Sequence, residues 1–340
     1  MKKQIFVSLV LVIVVLGISL PLEKAMAQKL ELTWGTTSST SSYYASALIW
    51  AKVVNDNVPS VNITIAESGA TYDNINRTRA GEFNLSMPCA YSGLLEAYYG
   101  LNRYKGKPYP ELRMLGVSNP LAIYYLVRED SGVKDVKDLD GKGFFSGPIG
   151  HISSIATEKV FTSRGIKPKY FVGGFGDAVT AMLDNRIVGF SKAGAGMQLD
   201  ASMIQVASVN KTRILSWTPD MVDEVVNLIP GAVRVTVPKG VIQSMPGVGP
   251  VTTWGQLISF FTTVNLSEDT CYAIVKAIHE HWDSDIAPNF KPCADVDFLK
   301  DSIKLLSDPE RAVPLHAGAI RYFREKGIDV PAKLIPPEAK

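Results

Sequence analysis

The sequence predicts an α/β fold of two domains, and three observations carry that prediction. The chain has 340 residues, and about 150 residues per domain suggests two units. A composition of 46% hydrophobic and 20% charged residues supplies enough apolar surface for buried cores and excludes a disordered chain. Short strand-like runs alternate with helix-like runs from residue 29 onward, and the 27 Gly and 20 Pro exclude a coiled coil. Such alternation marks mostly parallel sheets with helical crossovers.

The first segment stands apart. Lys2 and Lys3 precede an uncharged apolar run from Ile5 to Leu20, and Ala25-Met26-Ala27 follows. This pattern predicts a secretory signal over residues 1–27, with the mature chain starting at Gln28. The apolar run falls short of the about 20 residues a spanning helix needs. The whole chain has a formal charge of +2. The signal contains three basic residues and one acidic residue, so its removal leaves a formally neutral protein. Nothing in that balance suggests a nucleic-acid partner, and the mature protein is expected to be exported to the periplasm. Cys89, Cys271 and Cys293 are the three cysteines. Export permits a Cys271–Cys293 bridge, and burial of all three as small hydrophobes is an equal alternative.

Lys29–Trp34 alternates as a strand, and seven consecutive Ser or Thr residues follow from Thr36 to Ser42. Tyr43–Asn55 has helical spacing, with Tyr44, Leu48, Ala51 and Val54 on one face. Val61–Ala66 predicts a strand, Tyr72–Ala80 a short helix, Phe83–Met87 a strand and Tyr91–Tyr99 a helix stopped by Gly100. Leu112–Val117 and Ile123–Arg128 predict two more strands. Phe144–Ser146, the helix Ser154–Arg164, Tyr170–Val172, the helix Asp177–Asn185 and Ile187–Phe190 continue the alternation. Beyond residue 230, Ala232–Val237 predicts a strand, and Trp254–Thr263 fits a strand or a helix. Glu268–Trp282, capped by Ser267, Asp297–Leu306 and Pro314–Lys326 predict helices.

In open α/β sheets, ligands bind beyond the carboxyl ends of strands, where helix N-termini offer free N–H groups and partial positive charge. Three junctions combine hydroxyls with small residues: Thr36–Ser42, Glu67–Thr71 and Gly147–Ser154. From them Thr36, Thr37, Ser68, His151, Ser153 and Ser154 are candidate ligand-binding residues. Tyr43 and Tyr72, at helix starts, either pack or donate a hydroxyl. Lys192, after the strand Ile187–Phe190, offers one charge to a cleft. Ordinary capping and turn chemistry explains any one of these junctions alone.

Enzyme motifs are sparse. His279-Glu280-His281 lacks the spacing of a zinc helix, since i and i+2 point to different faces. Gly173-Gly174-Phe175-Gly176 lacks the dinucleotide-binding spacing. No catalytic residue, metal or cofactor is expected.

The ordered motifs resemble one family across the mature chain. Glu67-Ser68-Gly69, Ala80-Gly81-Glu82, Leu126-Val127-Arg128-Glu129-Asp130-Ser131-Gly132, Gly147-Pro148-x-Gly150, Val237-Pro238-Lys239-Gly240 and Pro314-Leu315-His316-x-Gly318-Ala319 are similar to the TAXI family of TRAP-transporter solute receptors. The resemblance implies a two-lobed periplasmic binding protein (type II-like) that closes on a small organic acid, a dicarboxylate or an amino-acid-like carboxylate, and delivers it to TRAP membrane subunits. A receptor for a periplasmic sensor, or an enzyme on the same fold, are the alternatives. The expected lobes are residues 28–126 with 235–340, and 127–234. Departures fall on the ligand loops: serines and threonines replace a Gly-rich first loop, Gly150-His151-Ile152-Ser153 replaces Gly-Ser-Gly-Thr, and a Gln after the third strand is replaced near Cys89, which joins the candidate ligand-binding residues.

Overall fold

A computed structural model describes residues 29–307 and 310–339; the expected signal segment and its cleavage point lie outside them. The first half runs β1 (Leu30–Gly35), α1 (Ser42–Asn57), β2 (Val61–Ala66), α2 (Thr71–Arg79), β3 (Leu85–Ala90), α3 (Tyr91–Tyr99) and β4 (Leu112–Arg128). Next come β5 (Gly143–Phe145), α4 (Ile152–Ser163), β6 (Lys169–Tyr170), α5 (Phe175–Leu183), β7 (Gly189–Ala193), α6 (Ala201–Val209), β8 (Thr212–Ile214) and α7 (Pro219–Leu228). The chain ends with β9 (Val233–Val237), β10 (Val251–Thr263), α8 (Glu268–Glu280), α9 (Phe298–Ser307) and α10 (Ala317–Glu325). None of these helices is long and apolar enough to cross a membrane.

The predicted α/β fold is present, and its sheet is mixed. The strand order is β2-β1-β3-β10-β4-β7-β5-β6, with β8 on β4 and β9 on β10. The flanks are parallel (β1 with β2 and β3, β5 with β6 and β7), as crossover helices require. The centre is antiparallel because β4 and β10 pair with each other over residues 112–122 and 255–263. Sequence predicted two strands where β4 is one of 17 residues. Pro120 does not end it, because Pro120 is exposed and irregularities in the ladder absorb it.

β4 joins the two lobes. Its first part lies against β10, and residues 123–128 pair with β7 and β8. Alternate residues feed opposite faces. Tyr125, with Phe144, Phe161 and Trp217, belongs to the large apolar cluster, whereas Tyr124 and Leu126, with Phe145 and Phe190, form the smaller one. The expected lobe boundaries fall inside β4 and β9, and β9 packs into the smaller cluster through Val235 and Val237. In the first lobe, Trp34 stacks on Phe260 at 4.6 Å, and Trp50 meets Trp34 edge-on.

The face predicted for α1 is rotated. Ala51 and Val54 are buried as predicted, but Leu48 is 48% exposed, and Tyr43, Ala47 and Trp50 are buried instead. The larger Trp50 takes the core position because it removes more apolar surface from water. Gly100 ends α3 in the left-handed conformation (φ 67°), where glycine avoids the Cβ penalty. The three described cysteines are unpaired and buried.

Candidate functional site

A cavity of about 60 Å³ lies between the lobes. Thr37, Tyr43, Ala70, Thr71, Ala90 and Gln256 line it together with His151, Phe175 and Lys192. Contacts across the gap hold the lobes together: Arg103 Nη1 donates to the Gly150 carbonyl (2.6 Å), and the Ser42 N–H donates to Asp200 Oδ2 (2.8 Å).

Three predicted helix starts converge here, but their donors are in different states. At α1, Ser41 accepts from the Tyr43 N–H, and Asp200 from the opposite lobe receives the Ser42 N–H and the Ser41 hydroxyl. At α4, His151 caps the helix by accepting the Ser153 N–H at Nδ1 (3.2 Å). At α2 the N-cap is Ala70, which supplies no side-chain cap. The same holds for α3, whose N-cap is Ala90. Both alanines line the cavity, so the first N–H groups of α2 and α3 are uncapped beside it.

Several side chains around these two helix starts have a hydrogen left to donate. Tyr43 Oη accepts from Asn119 Nδ2 (2.8 Å) and the Gly196 N–H (3.4 Å), leaving its own hydrogen to give. Thr71 Oγ1 accepts the Ala90 N–H (2.9 Å). His151 uses Nδ1 as acceptor, so the neutral ring carries its hydrogen on Nε2. Thr37 is 8% exposed, and its hydroxyl has no partner among the described residues.

Burial pushes the His151 imidazole down to about 4, and repulsion from Arg103 and Lys192 adds to this. An unfolded histidine titrates near 6.5, so between pH 6.5 and 4 the unfolded chain binds a proton that the folded chain refuses. Stability therefore falls as pH drops through that window. Thermal unfolding in buffers from pH 7 to 4 is expected to show the loss, with His151→Gln removing about 2 kcal/mol of it. His279 and His316 are shifted the same way, so the difference between the two proteins isolates His151. Equal slopes would refute this assignment.

Lys192 is at the cavity, but its charge is already matched: Nζ donates to Asp200 Oδ1 (2.6 Å) and Ser202 Oγ (2.7 Å). Asp200 is fully buried. Burial opposes its ionisation, yet Lys192 and the donors around it hold its carboxyl below the usual range.

Of the residues predicted from sequence, Thr37, Tyr43, His151 and Lys192 line the cavity. Ser153 and Ser154 stand just behind it: the first bonds His151, and the second donates to the Pro148 and His151 carbonyls. Four others do not line it. The Ser68 hydroxyl and the Asn74 amide hold the Thr36 carbonyl, and the Thr36 hydroxyl is buried without a partner among the described residues. Tyr72 donates its hydroxyl to buried Glu96 (2.6 Å). Cys89 is buried, its thiol pushed up to about 12 by desolvation, and the adjacent Ala90 reaches the cavity instead. Sequence reasoning missed Ala70, Thr71, Ala90, Gln256 and Asp200. For the first and third a signal existed: alanine is a poor N-cap, so alanine at a helix start facing a pocket marks unclaimed donors. His279 on α8 and His281 just past its end have local partners, Tyr322 and Asp285 respectively.

Fold and cavity together define a two-lobed α/β protein with a donor-lined site between its lobes. The chain belongs to the NMT1-like family, which it matches over residues 34–327. Among solved structures it is similar to the substrate-binding protein of an amino acid ABC transporter, with TM-score 0.48 and 11% identity over 76% of this chain and 96% of that one. It is also similar to the GluR0 ligand-binding core in complex with L-glutamate (TM-score 0.47, 10% identity, 78% and 99% covered). A third is the periplasmic aliphatic sulphonate binding protein SsuA from Escherichia coli (TM-score 0.42, 14% identity, 78% and 74% covered).

Proposed function

We propose that this protein is an extracytoplasmic receptor that closes two lobes on a small carboxylate and hands it to a TRAP-type membrane transporter. The observation that carries the reading is the donor-rich cavity. Tyr43 Oη and His151 Nδ1 have their acceptor positions filled by protein N–H groups, Thr71 Oγ1 accepts one N–H and keeps its hydrogen to give, and the starts of α2 and α3 are uncapped. Such a lining favours an oxyanion that accepts from both lobes, and a ligand touching both lobes favours the closed arrangement by its differential affinity. The delivery partner and the narrower TAXI assignment rest on the motif resemblance given above. The lobe division we adopt is the expected one, with the hinge placed within β4 and β9, where its two boundaries fall.

A panel of small organic acids in a thermal-shift assay tests the ligand class. A bound acid at about 100 times its Kd adds about 2.7 kcal/mol of stability, and a panel without any stabilising acid would defeat the reading. Thr37→Val removes a hydroxyl that has no protein partner. It is expected to weaken the responding acid about tenfold while leaving the free protein's melting temperature unchanged or raised. Unchanged affinity would remove Thr37 from the site. The transporter half predicts a gene for a large TRAP membrane subunit beside this one.

A further inference from the structure

Free charges and open acceptors at the cavity narrow the ligand class. No carboxylate lines the cavity among the described residues, and those bonded to its surroundings are committed. Asp200 receives five donors, which fill the lone pairs of a carboxylate. Glu96 takes the Tyr72 hydroxyl (2.6 Å) on one oxygen and the Asn102 amide (2.7 Å) on the other. The positive side is not balanced in this way. Arg103, over the Tyr72 ring at 4.1 Å, bonds the Gly150 carbonyl and has no carboxylate partner among the described residues. The uncapped starts of α2 and α3 add partial positive charge. A cation entering here would meet positive potential and no free counter-charge, so its desolvation would go uncompensated.

One neutral acceptor remains open. Gln256 lines the cavity and is 6% exposed. Its Nε2 donates to Ser92 Oγ (3.3 Å), and its Oε1 receives no donor among the described residues. Thr37, 8% exposed at the same cavity, also keeps a hydroxyl without a partner. Buried polar groups are normally satisfied, so both side chains mark a place that a ligand fills. An amide carbonyl suits a neutral O–H donor, but it does not supply the counter-charge that a buried ammonium requires.

We infer that the ligand is a carboxylate carrying a hydroxyl and no ammonium group, and that Gln256 Oε1 accepts the hydrogen of that hydroxyl. The inference rests on the receptor reading above. The side-chain donors and helix starts take the carboxylate, and Gln256 tells a hydroxy acid from its amino and its deoxy counterparts. Arg103, without a counter-charge, also suits a second carboxylate, so the selection falls on the hydroxyl and not on the number of acid groups.

The test is calorimetric titration and thermal shift at pH 7 with three matched sets: lactate, alanine and propionate; malate, aspartate and succinate; 2-hydroxyglutarate, glutamate and glutarate. Within each set the members differ only in a hydroxyl, an ammonium or a hydrogen at one carbon. In the set that binds most tightly, the hydroxy acid is expected to exceed both others by about tenfold or more. Gln256→Glu puts a carboxylate at the same point and is expected to move the amino-to-hydroxy affinity ratio about tenfold or more toward the amino acid. Gln256→Met removes the acceptor and is expected to bring the hydroxy acid within about threefold of the deoxy acid. An amino or deoxy acid that binds as tightly as its hydroxy counterpart overturns the inference and leaves the receptor reading standing. A response to other carboxylates with none to these nine does the same; a response to no carboxylate ends both. An unchanged hydroxy-to-deoxy ratio in folded Gln256→Met removes Gln256 from the selectivity. If neither variant melts cooperatively, the wild-type sets alone still decide the ligand class.

Discussion

Replacing Asp200 by alanine is expected to cost about 3–5 kcal/mol of stability, the range for removing one partner of a buried ion pair. The carboxylate is fully buried, and five donors converge on it. Oδ1 receives Lys192 Nζ, the Ser202 N–H and the Ser202 hydroxyl. Oδ2 receives the Ser42 N–H and the Ser41 hydroxyl from the other lobe. Its loss strands a lysine that is 5% exposed and removes the side-chain cap from α6 and one of the two groups serving the start of α1. Asparagine retains acceptor capacity and volume, so D200N is expected to lose less. Urea unfolding at pH 7 checks both: a lower midpoint at unchanged m-value is the expected form, and a loss below about 1 kcal/mol for D200A would contradict the role assigned to the pair. Because the group's folded pKa is depressed, its contribution is present above the ordinary carboxylate range and disappears only as pH falls through the folded value.

The second large effect is expected at Gly255. In β10 it pairs with Ala122 of β4 on one side and Val233 of β9 on the other. A Cβ there would lie 2.3 Å from the Leu121 carbonyl oxygen and 2.5 Å from Val235 Cγ2. The first obstacle is backbone in a hydrogen-bonded ladder, so it cannot move aside without separating β4 from β10. Gly255→Ala is therefore expected to destabilise by about 3 kcal/mol or more, at the upper end for overpacking. Gly247→Ala is the control: no atom lies within 4 Å of its Cβ position, and a change within about 0.5 kcal/mol is expected. Denaturant midpoints for the two variants decide the matter, and similar losses at both sites would refute the steric argument.

Element type was largely readable because alternation and capping are local. β2 and α3 coincide with their predicted ranges, and Ser267 caps α8 as its position before an acidic turn suggested. The hard cases were those decided by distant partners. Whether Ser118-Asn119-Pro120 interrupts a strand depends on β10 lying alongside, more than 130 residues away. α6, β8 and α7 had weak local signals and were not anticipated; β8, three residues long, is held by pairing with the end of β4. At the cavity, sequence located the right junctions because hydroxyls and glycine cluster there. It misjudged which donors remain open. In the Thr36–Ser42 junction the Ser41 hydroxyl is claimed by Asp200, 159 residues away. Tyr72 looked like a donor into the cleft, yet Glu96 takes its hydrogen. Availability is a property of partners, and partners brought in by the fold leave no mark in the local sequence.

The unpaired cysteines carry one last consequence. Cys89, Cys271 and Cys293 are each fully buried, and desolvation holds every one of the three thiols above its ordinary pKa. The thiolate is the species that reacts with oxidants and exchanges with other sulfurs, and here it is suppressed at all three positions. The native architecture is thus indifferent to redox surroundings: it needs no oxidising catalyst to mature, and reductant has no crosslink to undo.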